Sequence, residues 1–132
     1  MKGFSPDRMR LARAKAGLSY RQLAPIVGVS ATTLFSYETG RARPRPPKLK
    51  ALADALGCAT TYLAPLPRNA SLRDHREHAG MFLRDVATQL GVSDTTVLRM
   101  EDGSHWPDDA DAWASAYGLT VKAFAEAWRR PS

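Results

Sequence analysis

Apolar residues along this chain fall into short blocks whose members lie three or four positions apart, and most blocks end at a glycine. That period puts one stripe of each block on one side of an α-helix, so the pattern predicts a succession of short amphipathic helices. Ser5-Pro6-Asp7 has the order of a helix start: a capping hydroxyl, a proline at the first helical position and an acid in the first turn. Met9, Ala12 and Ala16 make the inner stripe of this helix, Arg8, Arg10, Arg13 and Lys15 lie largely outside it, and Gly17 closes it. Leu18 reads as a buried connector. Ser19 caps a second helix with Leu23, Ala24 and Val27 inside, where Pro25 removes a backbone donor and is expected to kink the helix. Gly28-Val29 turns the chain into a third helix, capped by Ser30 and ended by Gly40. Leu34 and Tyr37 share its inner face, while Ala31, Thr32 and Ser36 lie mostly on the other. A short helix with one apolar side and one small polar side fits a DNA major groove. Leu49, Leu52, Ala53 and Leu56 mark a fourth helix stopped by Gly57, and Thr60 to Leu63 a short fifth. Residues 64–71, with prolines at 65 and 67 and a capping Ser71, read as a linker.

After the linker the pattern starts again. A shift of 63 residues superposes Ala16-Gly17 on Ala79-Gly80, Arg21 on Arg84, Gly28-Val29-Ser30 on Gly91-Val92-Ser93, Thr32-Thr33 on Thr95-Thr96, and Glu38 on Glu101. Eleven of the 25 positions 16–40 are identical under it. Beyond Gly103 the shift becomes 61, aligning Ala51…Leu56-Gly57 with Ala112…Tyr117-Gly118. The chain is thus an internal duplication, and each copy reads as a five-helix unit. The expected domains are 1–63 and 72–132, joined by 64–71.

Charge separates the copies. Residues 1–71 carry 12 Lys and Arg against three acids, a net of +9, and residues 72–132 carry seven against ten, a net of −3. The overall +6 favours a polyanionic partner. A lone Cys58 excludes an intramolecular disulfide and fits a reducing cytosol. With no apolar run near a membrane span and no apolar core of a signal peptide, the expected location is the cytoplasm, at the nucleoid.

Two helices joined by a tight glycine turn, the second exposing small polar residues, have the layout of a helix-turn-helix. The string Gly17-Leu18-Ser19-x-x-x-Leu23-Ala24-x-x-Val27-Gly28-Val29-Ser30-x-x-x-Leu34-x-x-Tyr37-Glu38-x-Gly40 resembles the Cro/C1-type (xenobiotic-response-element-type) helix-turn-helix family. Leu49…Leu52-Ala53…Leu56-Gly57 resembles that family's fourth helix. The resemblance covers residues 6–63 well and 72–128 more loosely. It implies an all-α protein of two tandem five-helix, lambda-repressor-like domains. It also implies a recognition helix at 31–38, with Ala31, Thr32, Thr33 and Ser36 nearest the base edges. Tyr20, where the family often has Gln, would donate to phosphate, and Arg21, Arg41, Arg43 and Arg45 would grip phosphates. Phe35 would meet a thymine methyl or simply pack. Leu23, Val27, Leu34, Tyr37 and Leu52 read as core, and Glu38 as an anchor for the helix end or a partner for an arginine.

The second copy departs from the first where DNA would be met. Phe82-Leu83 replaces Ser19-Tyr20, Asp94 replaces Ala31, and Ser104-His105-Trp106-Pro107-Asp108-Asp109 replaces the arginine loop. A carboxylate at 94 could accept from cytosine but in most settings repels phosphate. Arg84, Thr95, Thr96 and Arg99 can still reach DNA. Phe82, Leu83 and Leu98 form a candidate apolar patch for a protein partner, unless Phe82 and Leu83 pack on Trp106 or the linker.

Other chemistry is thin. His75 and His78 are three apart, but without further paired ligands they make a poor metal site, and no catalytic set is present. The expectation is therefore a non-enzymatic, cofactor-free regulator of transcription, a repressor, that binds double-stranded DNA chiefly through its first domain. The two copies could act as a covalent pseudo-dimer, or the second could build a homodimer. The rival reading is an antitoxin-like or adaptor module whose second domain holds a protein partner or self-associates.

Overall fold

The computed structural model describes residues 3–130, and among these every regular element is an α-helix. The chain divides into two compact units, Met1–Pro65 and Leu66–Ser132. In the first, α1 (Pro6–Ala16), α2 (Tyr20–Val27), α3 (Ala31–Glu38), α4 (Pro46–Leu56) and α5 (Thr60–Leu63) follow one another. Local chemistry fixes their ends. The Ser5 hydroxyl accepts from the Arg8 amide at 3.3 Å, and Ser30 accepts from the Thr33 amide at 3.0 Å. Ser19 and Gln22 satisfy each other's backbone amides in a reciprocal capping box. Met9, Leu23, Leu34, Leu49, Leu52 and Leu63 meet in the core with no exposed surface. The Ser5 amide donates to the Leu63 carbonyl at 2.7 Å, which pins the start of α1 to the end of α5.

Two expectations are corrected here. Ala16 is exposed, because it is the last residue of α1 and projects past the core that Met9 and Ala12 enter. Leu18 is only half-buried at the edge of that core. Pro25 lies inside α2, which runs from Tyr20 to Val27 with the proline ring exposed. The eight-residue helix loses one amide donor there, and its C-terminal end is capped by Lys48, which donates to the carbonyls of Gly28 at 3.2 Å and Val27 at 3.4 Å.

The second unit repeats the order with α6 (Leu72–His78), α7 (Leu83–Leu90), α8 (Asp94–Glu101), α9 (Ala110–Ala116) and α10 (Val121–Trp128). Its core holds Leu72, Val86, Val97, Met100, Trp113 and Phe124. The last helix is twice the length of α5 and carries an aromatic cluster, in which the Trp106 ring lies 5.7 Å from Phe124 and 5.1 Å from Trp128. Where the serine cap of α7 is missing, the Asp85 carboxylate accepts the Phe82 amide at 2.7 Å, so half of the capping box survives. No described helix is long and apolar enough to cross a membrane.

Candidate nucleic-acid interface

In each unit the second and third helices are joined by a glycine in the left-handed region, Gly28 at φ 81° and Gly91 at φ 67°. Such a φ strains any residue with a Cβ, so glycine makes the turn short enough to set the two helices against each other. In the first unit this leaves Ala31, Thr32 and Phe35 exposed along α3, while Leu34 and Tyr37 point inward. Thr33 is half-buried, its hydroxyl 2.9 Å from that of Ser30. The Ser36 hydroxyl donates back to the Thr32 carbonyl at 3.1 Å, so its proton is already engaged. Of the expected hydroxyl readers, Thr32 alone is both exposed and outward on the helix.

Tyr20 is not where the resemblance put it. Its hydroxyl donates to the Glu38 carboxylate at 2.9 Å, and its ring lies under the Arg13 guanidinium and edge-on to Phe35. Burial, and then Glu38, push its phenol above the ordinary tyrosine range. A proton committed to a buried carboxylate is not offered to a phosphate, so Tyr20 is part of the scaffold. Phe35 is 46% exposed, and so presents a ring edge beyond its contact with Tyr20. Arg21, Arg41, Arg43 and Arg45 are exposed, and among the described residues no carboxylate is within ion-pair distance of Arg21, Arg41 or Arg43.

The scaffold under this face is a partly buried ion pair. Arg13 on α1 grips both oxygens of Glu38 at the end of α3, with Nη2 to Oε1 at 3.2 Å, and also donates to the Leu18 carbonyl at 3.0 Å. Glu38 raises the Arg13 pKa, fixing the charge. Arg10 adds a bond to the Glu38 carbonyl at 3.0 Å. The second unit has the same clamp: Arg76 holds Glu101 at 2.7 and 3.2 Å and the Met81 carbonyl at 3.1 Å. Here the hydroxyl comes from Tyr117, at 2.8 Å, because Leu83 stands at the Tyr20 position. Burial, followed by Glu101, drives the Tyr117 phenol far above its usual range. The sequence reading missed Arg13, Arg76 and Tyr117. Arg13 and Arg76 are 63 apart, like their glutamates, so the repeat itself held the signal.

On the second unit's outer face Thr95 and Arg99 are exposed, and the Thr96 hydroxyl lies 2.9 Å from that of Ser93, as in the first copy. Arg84 differs from its counterpart Arg21. Its Nε and Nη2 both donate to Asp94 Oδ2, at 3.2 and 3.0 Å. The expected apolar patch is reduced, since Leu83 packs partly onto the core while Phe82 and Leu98 stay exposed. The Trp106 ring packs against Phe124 and edge-on to Trp128. His78 Nδ1 lies 2.8 Å from the Asp74 carbonyl, and no group of three metal-ligating side chains occurs among the described residues.

Residues 9–63 match the family described as helix-turn-helix, and residues 70–127 match a second, described as helix-turn-helix domain. No curated protein and no solved structure matches the chain. The two matches fall on the two structural units, and both units have the short glycine turn between their second and third helices. The chain carries two helix-turn-helix domains in tandem, consistent with the Cro/C1-type pattern of its sequence.

Proposed function

We propose that this protein is a sequence-specific, double-stranded-DNA-binding transcriptional regulator acting as a repressor at the nucleoid, with the first unit as its principal reader. The observation that carries this is the combination on that unit of an exposed Ala31-Thr32-Phe35 face with exposed Arg21, Arg41 and Arg43, which have no carboxylate beside them among the described residues. Inserted by its first turn, α3 would present small side chains to base edges and leave the arginines for the flanking phosphates. Repression would follow from occupancy of the site.

Phosphate contacts release counterions, so affinity must fall steeply as salt rises. Replacing Arg41, Arg43 and Arg45 with Ala in the full chain should weaken binding to all duplexes and reduce the log–log salt slope by about one per arginine. An unchanged slope in the triple variant overturns the proposal. A second reading, a protein-interaction module, is favoured by exposed Phe82 and Leu98. It predicts self-association or partner capture that Phe82→Ser with Leu98→Ser abolishes, and sedimentation of wild type and variant decides it.

A further inference from the structure

Arg21 and Arg84 occupy equivalent positions in the second residue of α2 and of α7, yet their surroundings differ in one respect. Opposite Arg21 stands Ala31, which offers nothing to a guanidinium. Opposite Arg84 stands Asp94, the first residue of α8, which takes two of its N–H groups on one oxygen. The first turn of the third helix is the part of a helix-turn-helix that approaches base edges. An arginine held there is fixed by a carboxylate on the helix that would enter the groove, and its charge is balanced before it meets any phosphate.

The bond pattern decides what such an arginine can do. Asp94 occupies the side of the guanidinium formed by Nε and Nη2. The outer fork, the two parallel N–H groups of Nη1 and Nη2, is left pointing onward. That fork matches O6 and N7 of guanine in the major groove, the commonest specific arginine contact. The side chain is 78% exposed, so without Asp94 it would sample many rotamers and reach phosphate as readily as base. The carboxylate thus converts a phosphate-type arginine into an oriented one.

We infer that the second unit reads a guanine through Arg84, with Asp94 as the positioning residue that aims it. This rests on the proposal above that the chain binds DNA by sequence, and adds a second, guanine-centred contact to the first unit's reading. The repulsion expected from an acid at this entrance is cancelled by the arginine it holds.

The test uses the full-length chain and a randomised duplex library, read as relative affinity per base position. Wild type should prefer guanine at one position outside the first unit's half-site, by about fivefold to a hundredfold over other bases. Arg84→Lys keeps the charge but has no fork, and Asp94→Ala keeps the fork but frees it. Both should flatten that single position to within about twofold and leave the first half-site unchanged. Arg21→Lys should flatten no position. If Asp94→Ala tightens binding to all sequences alike and Arg84→Lys changes no preference, Arg84 is a phosphate contact and the inference fails. A wild type that shows only the first half-site overturns this inference alone. A wild type with no sequence preference overturns the DNA-reader proposal as well.

Discussion

Glu38 and Glu101 are each 3% exposed, and each is held by an arginine and a tyrosine, so removing any member leaves a desolvated group behind. The cost should follow how easily that group reaches water. Arg76 is almost fully buried and Arg13 about a quarter exposed. Glu101→Ala should therefore destabilise the second unit by about 3–5 kcal/mol, the range for an orphaned buried charge. Glu38→Ala should cost the first unit less, about 1–3 kcal/mol, because Arg13 can turn outward. Tyr117→Phe should cost about 1.5–3 kcal/mol, as loss of a hydrogen bond to a charged acceptor. All three tryptophans lie in the second unit, so tryptophan fluorescence during urea unfolding follows that unit selectively. Circular dichroism of the same unfolding reports the first unit as well, and equal losses for Glu38→Ala and Glu101→Ala would contradict the difference in burial.

The helices themselves were largely legible, because their ends are written in single residues. Ser5, Ser19, Ser30, Ser71 and Ser93 all cap as their sequence context predicts, and Gly17, Gly57 and Gly91 terminate helices in the left-handed region. Ser30→Ala should lower the first unit's stability by about 1 kcal/mol, measured by thermal unfolding, with Ser93→Ala doing the same in the second. Hydroxyl directions on those helices were not legible. Thr32, Thr33 and Ser36 look alike in a pattern, but whether a hydroxyl faces outward depends on bonds to Ser30 and to the Thr32 carbonyl. Tyr20 failed for a related reason, since the family position names a surface while the buried Glu38 draws the hydroxyl inward. Arg84 and Asp94 were each visible as single residues. Their pairing across the turn between α7 and α8 is a fact of three-dimensional geometry.

For the molecule as a whole, the duplicated scaffold carries two differently charged surfaces, +9 before residue 72 and −3 after it. Loss of the second unit's loop charges through Asp108→Asn with Asp109→Asn should strengthen DNA binding only modestly, and more at low salt than at high, since these are exposed charges screened within a Debye length. A gain of equal size at all ionic strengths would count against a purely long-range effect. The different source of the clamp's phenol has a further consequence, for exchange between the halves. In the first half it arrives on the second helix, and in the second half at the end of the fourth. Grafting α1–α3 in place of α6–α8 would bring Tyr20 to a carboxylate that Tyr117 already serves. The reverse graft would surround its glutamate with Leu83 and Leu56 and supply no phenol at all. Matching segments of this chain are therefore homologous without being interchangeable, and transplantation between them should be tolerated better in one direction than in the other.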